Sequence, residues 1–278
     1  MIDVIKETLI DSIKLVPFLF LAFLFIEFIE HRLNKKNKKL IAKSKRFGPI
    51  IGSVLGVIPQ CGFSVMATNL YVTRIISLGT LISIYLSTSD EMLPILLSEK
   101  VDISTIMNIL LFKVFVGMIF GIIIDLIYRK TTKENYHICE DEHCHCENGI
   151  FISTIKHTIN ILLFLIIISF VINVIFTYVG EEYLSKLLLK DSIFAPFLTS
   201  LIGLIPNCGA SEILTELYIN QAISLGAMIG GLLTSSGVAI LVLFKSNKNI
   251  KENFSILGIV YSIGVISGII IQLINYIV

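Results

Sequence analysis

Apolar residues in this chain come in runs of roughly 20, a length that crosses the hydrocarbon core of a bilayer as one helix. Hydrophobic residues make up 55% of the chain and charged residues 15%, whereas soluble domains carry about 25% charged residues. The pattern predicts an all-α, polytopic membrane protein whose first partner is the lipid bilayer. The main runs lie at 15–29, 103–128, 159–179, 226–244 and 254–278.

One long phrase occurs twice in the chain. The stretch GVIPQCGFSVMATNLYVTRIISLG at 56–79 recurs as GLIPNCGASEILTELYINQAISLG at 203–226, with thirteen of 24 positions identical at a constant offset of 147. Internal repeats of this kind are a mark of many secondary transporters. We therefore divide the chain into a first membrane repeat at 1–130, a loop at 131–149 and a second membrane repeat at 150–278.

The distribution of basic residues predicts that the two repeats are inverted. A long helix at 4–33 is followed by the basic loop HRLNKKNKKLIAKSKR, but its counterpart at 151–178 is followed by TYVGEEYLSKLLLKDS, which has no net positive charge. Conversely, the segment 98–102 is balanced and its counterpart at 245–253 is basic. Because basic loops stay in the cytoplasm, this exchange places the repeats in opposite orientations.

The PxCG motif in each copy predicts a broken helix or a re-entrant hairpin. Proline removes a backbone donor and disrupts the preceding turn, and glycine permits a tight bend. Non-helical backbone at membrane depth is tolerated only inside protein or beside a wet cavity. Two such breaks, one from each repeat, are therefore expected to form the walls of one binding site near the membrane midplane. The alternative is that proline and glycine only kink two packing helices.

Polar side chains near the breaks and on the long helices form the candidate site. Residues three and four apart share a helix face, which aligns Ser64 with Thr68 and Glu212 with Glu216. Basic partners within the spans are few: Lys14 and Arg74 are candidates, and Lys113 is a candidate to pair with an acid. Acids therefore outnumber bases at depth. This balance favours a cationic substrate and offers titratable groups for proton exchange. The candidate metal ligands are Asp11, Glu27, Gln60, Cys61, Ser64, Asn69, Asp90, Glu91, His157, Asn207, Cys208, Ser211, Glu212 and Glu216.

The candidate ligands leave two classes of metal open. Carboxylate, amide and hydroxyl oxygens suit hard or borderline cations, with Mn²⁺ as the first candidate. Cys61 and Cys208, which occupy equivalent repeat positions, add soft sulfur that suits Zn²⁺, Cd²⁺ or trivalent arsenic. An arsenic efflux permease that uses these two cysteines is therefore the alternative to a divalent-cation exporter. A buried cysteine also serves commonly as a small hydrophobe.

A second metal signal lies in the loop between the repeats. Its sequence HICEDEHCHCE combines histidines, cysteines and acids, a composition typical of metal binding, although its spacing is not that of a two-CxxC zinc site. We expect a cytoplasmic metal-capture loop, which favours export over uptake. A membrane metal sensor that signals through this loop, or a solvated linker, remains an alternative. Its candidate ligands are His137, Cys139, His143, Cys144, His145 and Cys146.

Other classes of function find little support in the sequence. The formal net charge is +1, so no nucleic-acid partner is implied. There is no HExxH motif and no arrangement of nucleophile and base, so we do not expect an enzyme, and we expect no resident cofactor. Acidic and basic residues interrupt the first run and no small-residue cleavage site follows, which predicts a permanent helix. The oligomeric state is left open, with a homodimer as one form the sequence allows.

The motifs IPQCGFS, LSTSDEMLPIL and IPNCGAS, together with the Cys/His-rich loop before IKHT, resemble a known family. This is the family of ten-helix heavy-metal exporters, whose members are usually called manganese transporters or arsenic efflux proteins. The resemblance covers essentially the whole chain. It implies an integral protein of the bacterial cytoplasmic (inner) membrane with an internal duplication, transporting metal as its substrate. Ten helices would require each hairpin to count as a pair of short helices.

Overall fold

The fold is known from a computed structural model, and the residues it describes form helices with no β-strand among them. It describes residues 13, 16–17, 20–21, 23–24, 47–58, 61–89, 91–128, 150–179, 194–207 and 209–277. The helices are α1 Gly48–Leu55, α2 Cys61–Val72, α3 Leu78–Ser87, α4 Met92–Ser98, α5 Ile103–Tyr128, α6 Ile150–Val179, α7 Ala195–Gly203, α8 Gly209–Ile219, α9 Leu225–Thr234, α10 Ala239–Ser246 and α11 Ile250–Ile277.

Long apolar helices confirm the membrane class predicted from the sequence. Within the described residues, three stretches are long and apolar enough to cross a bilayer: Ile103–Tyr128, Leu225–Ser246 and Ile250–Ile274. The apolar window of Leu225–Ser246 is 89% buried inside the protein, against 39% and 44% for the other two. The stretch that contains α9 and α10 is therefore a central element, enclosed by other helices.

Matching hydrogen bonds place the two copies of the repeat in the same conformation. Ser77 caps α3 by accepting from the Thr80 N–H at 3.2 Å, and its hydroxyl donates to Asp125 on α5 at 2.6 Å. At the same offset of 147, Ser224 caps α9 at 3.2 Å and donates to Gln272 on α11. The backbone turns alike after α2 and α8, with positive φ values of 60° at Arg74 and 57° at Gln221. The inverted orientation of the copies stays a prediction.

Glycines let the helices approach closely within each repeat. A Cβ on Gly79 would lie 2.1 Å from the Gly121 carbonyl oxygen, and one on Gly226 would lie 2.6 Å from that of Gly268. Small residues four apart allow this approach between membrane helices. Such pairs, Gly117 with Gly121 and Gly264 with Gly268, occur at equivalent positions of α5 and α11. The α3–α5 and α9–α11 contacts are therefore backbone-to-backbone packing.

The helix breaks at the PxCG motifs are confirmed. In the first repeat α1 ends at Leu55 and α2 begins at Cys61, and in the second α7 ends at Gly203 and α8 begins at Gly209. Each short helix has 8 to 12 residues, which is too few to cross a bilayer alone, since about 20 are needed. The short helices on either side of each break pack against neighbouring helices.

A second pair of breaks was not predicted. The run 226–244 was interpreted as one uninterrupted apolar helix, but α9 ends at Thr234 and α10 begins only at Ala239. Serine and threonine hydroxyls compete for the backbone carbonyls here: Thr234 donates to the Gly231 carbonyl at 2.8 Å. Gly237 then adopts a positive φ of 55°. The equivalent break in the first repeat separates α3 from α4.

The repeats exchange contacts across the centre of the protein. Helix α2 of the first repeat packs on α10 of the second, and α8 of the second packs on α4 of the first. Helix α3 also contacts α9 directly. All four breaks consequently belong to elements that lie at the junction of the two repeats.

An ion pair joins the repeats at one end of α2. Arg74 donates to both carboxylate oxygens of Glu252 on α11, at 2.7 and 3.0 Å, and Tyr71 donates to the same carboxylate. At the offset of 147, the equivalent of Arg74 is Gln221 and the equivalent of Glu252 is Thr105, and these two residues cannot form an ion pair. The link therefore exists at only one of two equivalent places.

Replacement of Glu252 by glutamine is expected to destabilise the protein modestly. The Arg74 and Glu252 side chains are 45% and 21% exposed, so the pair is worth about 1 kcal/mol. We expect a loss of about 2–4 °C in Tm, because a chain of this size shifts by that much per kcal/mol. Lys251→Gln, at the exposed neighbouring residue, is the matched control. Thermal unfolding of Arg74→Gln, Glu252→Gln and the double variant tests the pair, and additive losses would contradict it.

Candidate functional site

The junction of the repeats is organised around Lys113. Its side chain leaves the middle of α5 and is 1% exposed. The ammonium donates to the carbonyl oxygen of Thr88, at the end of α3, and to that of Leu232 in α9 at 3.0 Å. The sequence analysis suggested only that Lys113 pairs with an acid. It also connects the broken helices of both repeats through their backbones, and its pairing with an acid stays a prediction.

Buried polar side chains line the helices that follow the PxCG breaks. On α2, Ser64 is 0% exposed and Asn69 4% exposed. Thr68, between them, donates to the Ser64 carbonyl at 2.8 Å and shares a hydrogen bond of 2.6 Å with Tyr85 of α3. In the second repeat Asn207 and Ser211 are also buried, at 7% and 3%. The structure therefore places four predicted ligands, Ser64, Asn69, Asn207 and Ser211, inside the protein beside the breaks.

Hydroxyl groups crowd the second pair of breaks. Six serine and threonine residues there are all buried: Ser87, Thr88, Ser89, Thr234, Ser235 and Ser236. The hydroxyls of Ser235 and Ser236 and the amide nitrogen of Asn69 have no hydrogen-bond partner among the described residues. Buried polar groups in native proteins are normally satisfied by protein or water. These atoms are thus available for hydrogen bonds to water or to a bound substrate.

The acidic candidates that the structure describes are partly exposed. Glu212 and Glu216 are half-buried one turn apart on α8, and both make contacts with other groups. Glu91 is half-buried at the residue before α4. The described residues contain no group of three or more His, Cys, Asp or Glu side chains close enough to hold a metal. The described part of the site is therefore rich in neutral oxygen donors.

Several predicted ligands cannot be placed. Asp11, Glu27, Gln60, Asp90 and Cys208 lie outside the described residues, as do His137, Cys139, His143, Cys144, His145 and Cys146 of the loop. For Cys61 and His157 only the backbone is described, at the start of α2 and in the first half of α6. Their roles as ligands stay predictions.

Sequence reasoning missed the hydroxyl clusters and the part played by Lys113. A signal for the hydroxyls was present, because STS at 87–89 and TSS at 234–236 recur at the offset of 147. The lysine is marked in the sequence only by its charge within the apolar run 103–128. Its equivalent on α11 is Val260, so the repeat does not mark the position. Only the hydrogen bonds that its side chain makes from α5 to Thr88 and Leu232 reveal its part.

Comparison with protein families identifies the group to which these features belong. The chain matches a family described as "Putative, 10TM heavy-metal exporter" over residues 1–181 and 166–277. The chain belongs to this family. The two matched segments together cover nearly the whole sequence, which confirms the resemblance seen in the PxCG and LSTSDEMLPIL motifs.

Membership establishes the class of molecule. The chain is a multi-pass membrane protein of a heavy-metal exporter family, and exporters move a substrate without converting it. No curated protein and no solved structure matches the chain.

Proposed function

We propose that this protein exports divalent metal cations from the bacterial cytoplasm across the cytoplasmic membrane in exchange for protons, with Mn²⁺ as the first substrate. The observation that carries the proposal is that helices flanking four breaks, two in each repeat, pack against each other across the junction of the repeats beside buried polar side chains. Discontinuous helices at the junction of two repeats are where secondary transporters bind their substrates. Rocking of one repeat against the other would expose such a site to each side in turn.

The donor chemistry of the described site supports a hard cation. Ser64, Asn69, Asn207 and Ser211 supply hydroxyl and amide oxygens, and Glu216 supplies a carboxylate on the same helix as Ser211. Oxygen donors of these types suit Mn²⁺ and similar ions. The carboxylates of Glu212 and Glu216 are also candidates to exchange protons for metal. Asp11, Glu27 and Asp90 complete the proposed ligand set from the sequence.

The placement of the two cysteines favours a second candidate, efflux of trivalent arsenic. Cys61 is the first residue of α2, directly after the break, and α8 begins at Gly209, the residue after Cys208. Two thiols at equivalent positions of the two breaks would suit a soft, thiol-binding metalloid. The class of substrate therefore depends on which side chains at the breaks hold the ion.

Transport into proteoliposomes of the purified protein tests both candidates. A divalent-metal dye and a pH dye inside the vesicles should report Mn²⁺ flux with opposing proton movement. Cys61→Ser with Cys208→Ser is expected to leave Mn²⁺ flux within about twofold, because serine retains a small polar side chain and Mn²⁺ prefers oxygen. The same double variant should abolish arsenite flux if thiols carry the substrate.

The outcomes separate the candidates cleanly. Absence of flux for every divalent ion, from protein that is folded and monodisperse, would contradict the leading proposal. Arsenite flux that disappears in the double cysteine variant would then establish the second candidate. Deletion of residues 140–147 provides a further control, since a transporter should lose mainly affinity for metal.

A further inference from the structure

The carbonyl groups held by Lys113 are those that a free cation would use. Thr88 follows α3 directly as its C-terminal capping residue, and Leu232 lies in the last turn of α9. The last four carbonyls of a helix lack intrahelical partners, and that of Leu232 is one of them. Thr88 has an extended backbone with ψ 133°, so its carbonyl belongs to the unwound chain after α3. In discontinuous membrane helices such ends coordinate small monovalent cations. Each repeat therefore supplies one carbonyl, and the two carbonyls together suit a small cation.

The ammonium of Lys113 fills that position from within the protein. It reaches both carbonyls while its side chain is 1% exposed, so it is enclosed on all sides. The pseudo-equivalent residue of the second repeat, Val260, is 2% exposed and carries no charge. A single lysine thus donates to the broken helices of both repeats, although the surrounding backbone occurs twice.

We propose that Lys113 is a tethered substitute for a monovalent cation, occupying a site built by the C-terminal ends of α3 and α9. The protein then holds this cation covalently and needs no dissolved Na⁺ or K⁺ for its working conformation. Removal of the side chain beyond Cβ leaves a site of the shape and polarity to bind a small monovalent cation. The inference deepens the proposed transport function, but its first test requires no transport.

Chemical rescue of Lys113→Ala tests the proposal. The variant lacks a propylammonium group, so n-propylammonium chloride is the matched probe, Na⁺ and K⁺ are the simple cations, and bulky choline chloride controls ionic strength. We expect a lowered Tm in choline, and a saturable rise of about 2–5 °C with propylammonium or Na⁺. Wild-type protein should not respond. Lys245→Ala is the matched control, because Lys245 also donates to a carbonyl, that of Asn160 at 2.7 Å, but near the surface.

Two results would overturn the proposal. One is a Lys113→Ala protein that is as stable in choline as the wild type. The other is a rise in Tm that choline, or the Lys245→Ala protein, reproduces equally. If Lys113→Ala does not fold, Lys113→Gln fills the site with an uncharged amide, and its Tm and flux should then be lower than those of the wild type in choline, Na⁺ and K⁺ alike. Full stability and flux of Lys113→Gln in choline would equally refute a role for the charge.

The result is independent of the identity of the exported metal. Rescue of stability by a cation in a protein that shows no Mn²⁺ flux would support the tethered cation and reject the proposed substrate. Wild-type Mn²⁺ flux that is unaffected by replacing Na⁺ and K⁺ with choline, combined with flux in Lys113→Ala that requires one of these ions or propylammonium, would support both.

Discussion

Leucine in place of Gly268 is expected to eliminate folded protein, whereas leucine in place of Gly258 in the same helix is expected to be harmless. A Cβ at Gly268 would lie 2.8 Å from the Gly226 carbonyl oxygen and 2.8 Å from Cβ of Pro196. These neighbours are backbone and a rigid ring, so α11 must move away from α7 and α9. Gly258 has nothing within 4 Å and is exposed.

The physical cost at Gly268 is larger than that of ordinary overpacking. Inserted methylenes in a packed core cost about 1–3 kcal/mol when side chains can shift. Here the helices must separate, which also threatens the hydrogen bond from Ser224 to Gln272. Intrinsic propensity acts in the opposite direction, since leucine favours a helix over glycine by nearly 1 kcal/mol. A loss at Gly268 therefore reflects packing alone.

The repeat supplies a second instance of the same test. A Cβ on Gly121 would lie 2.7 Å from the Gly79 carbonyl oxygen and 2.9 Å from Cβ of Pro49. We expect Gly121→Leu to match Gly268→Leu in size-exclusion profile and yield after detergent extraction. A normal, monodisperse peak for either leucine variant would show that the close helix contact is not required, and a collapse of Gly258→Leu would point to a nonspecific effect.

Neutralisation of Glu216 is expected to cause the largest functional loss among the described residues. Glu216 stands on α8 at the position equivalent to Asn69 on α2, which is 4% exposed. Interactions with a charged group are worth about 1.5–3 kcal/mol. Glu216→Gln should therefore lower Mn²⁺ flux at a fixed low concentration by about 10- to 100-fold. Glu99→Gln, at an exposed residue after α4, is the matched control.

Exchange of the charge between the repeats sharpens this test. The double variant Asn69→Asp with Glu216→Gln moves the carboxylate to the equivalent position of the first repeat. If both positions serve one central site, the double variant should regain part of the Mn²⁺ flux lost in Glu216→Gln. Asn69→Asp alone should alter the flux, unlike the control Glu99→Gln. Wild-type flux in Glu216→Gln would remove Glu216 from the ligand set. A double variant no better than the single one would mean that Asn69 and Glu216 face different places.

Features that depend on neighbouring residues could be predicted from the sequence. Run length determined the membrane class, and proline with glycine determined the PxCG breaks, because both act through the local backbone. The constant offset of 147 predicted equivalent positions, and the capping serines Ser77 and Ser224 occupy them in the same way. The breaks after Ser87 and Thr234 were missed because apolar residues surround them and hydroxyl competition is a weak signal.

Contacts between side chains of different helices could not be predicted from the sequence and are seen only in the tertiary structure. The ion pair joins Arg74 to Glu252, residues separated by 178 positions, and Lys113 joins two carbonyls that belong to different repeats. No pattern along the chain specifies such pairs, because each depends on how helices that are distant in sequence pack together. Local sequence therefore predicted the membrane helices, the repeat and the PxCG breaks, while helix packing decided which polar groups come together at the junction of the repeats.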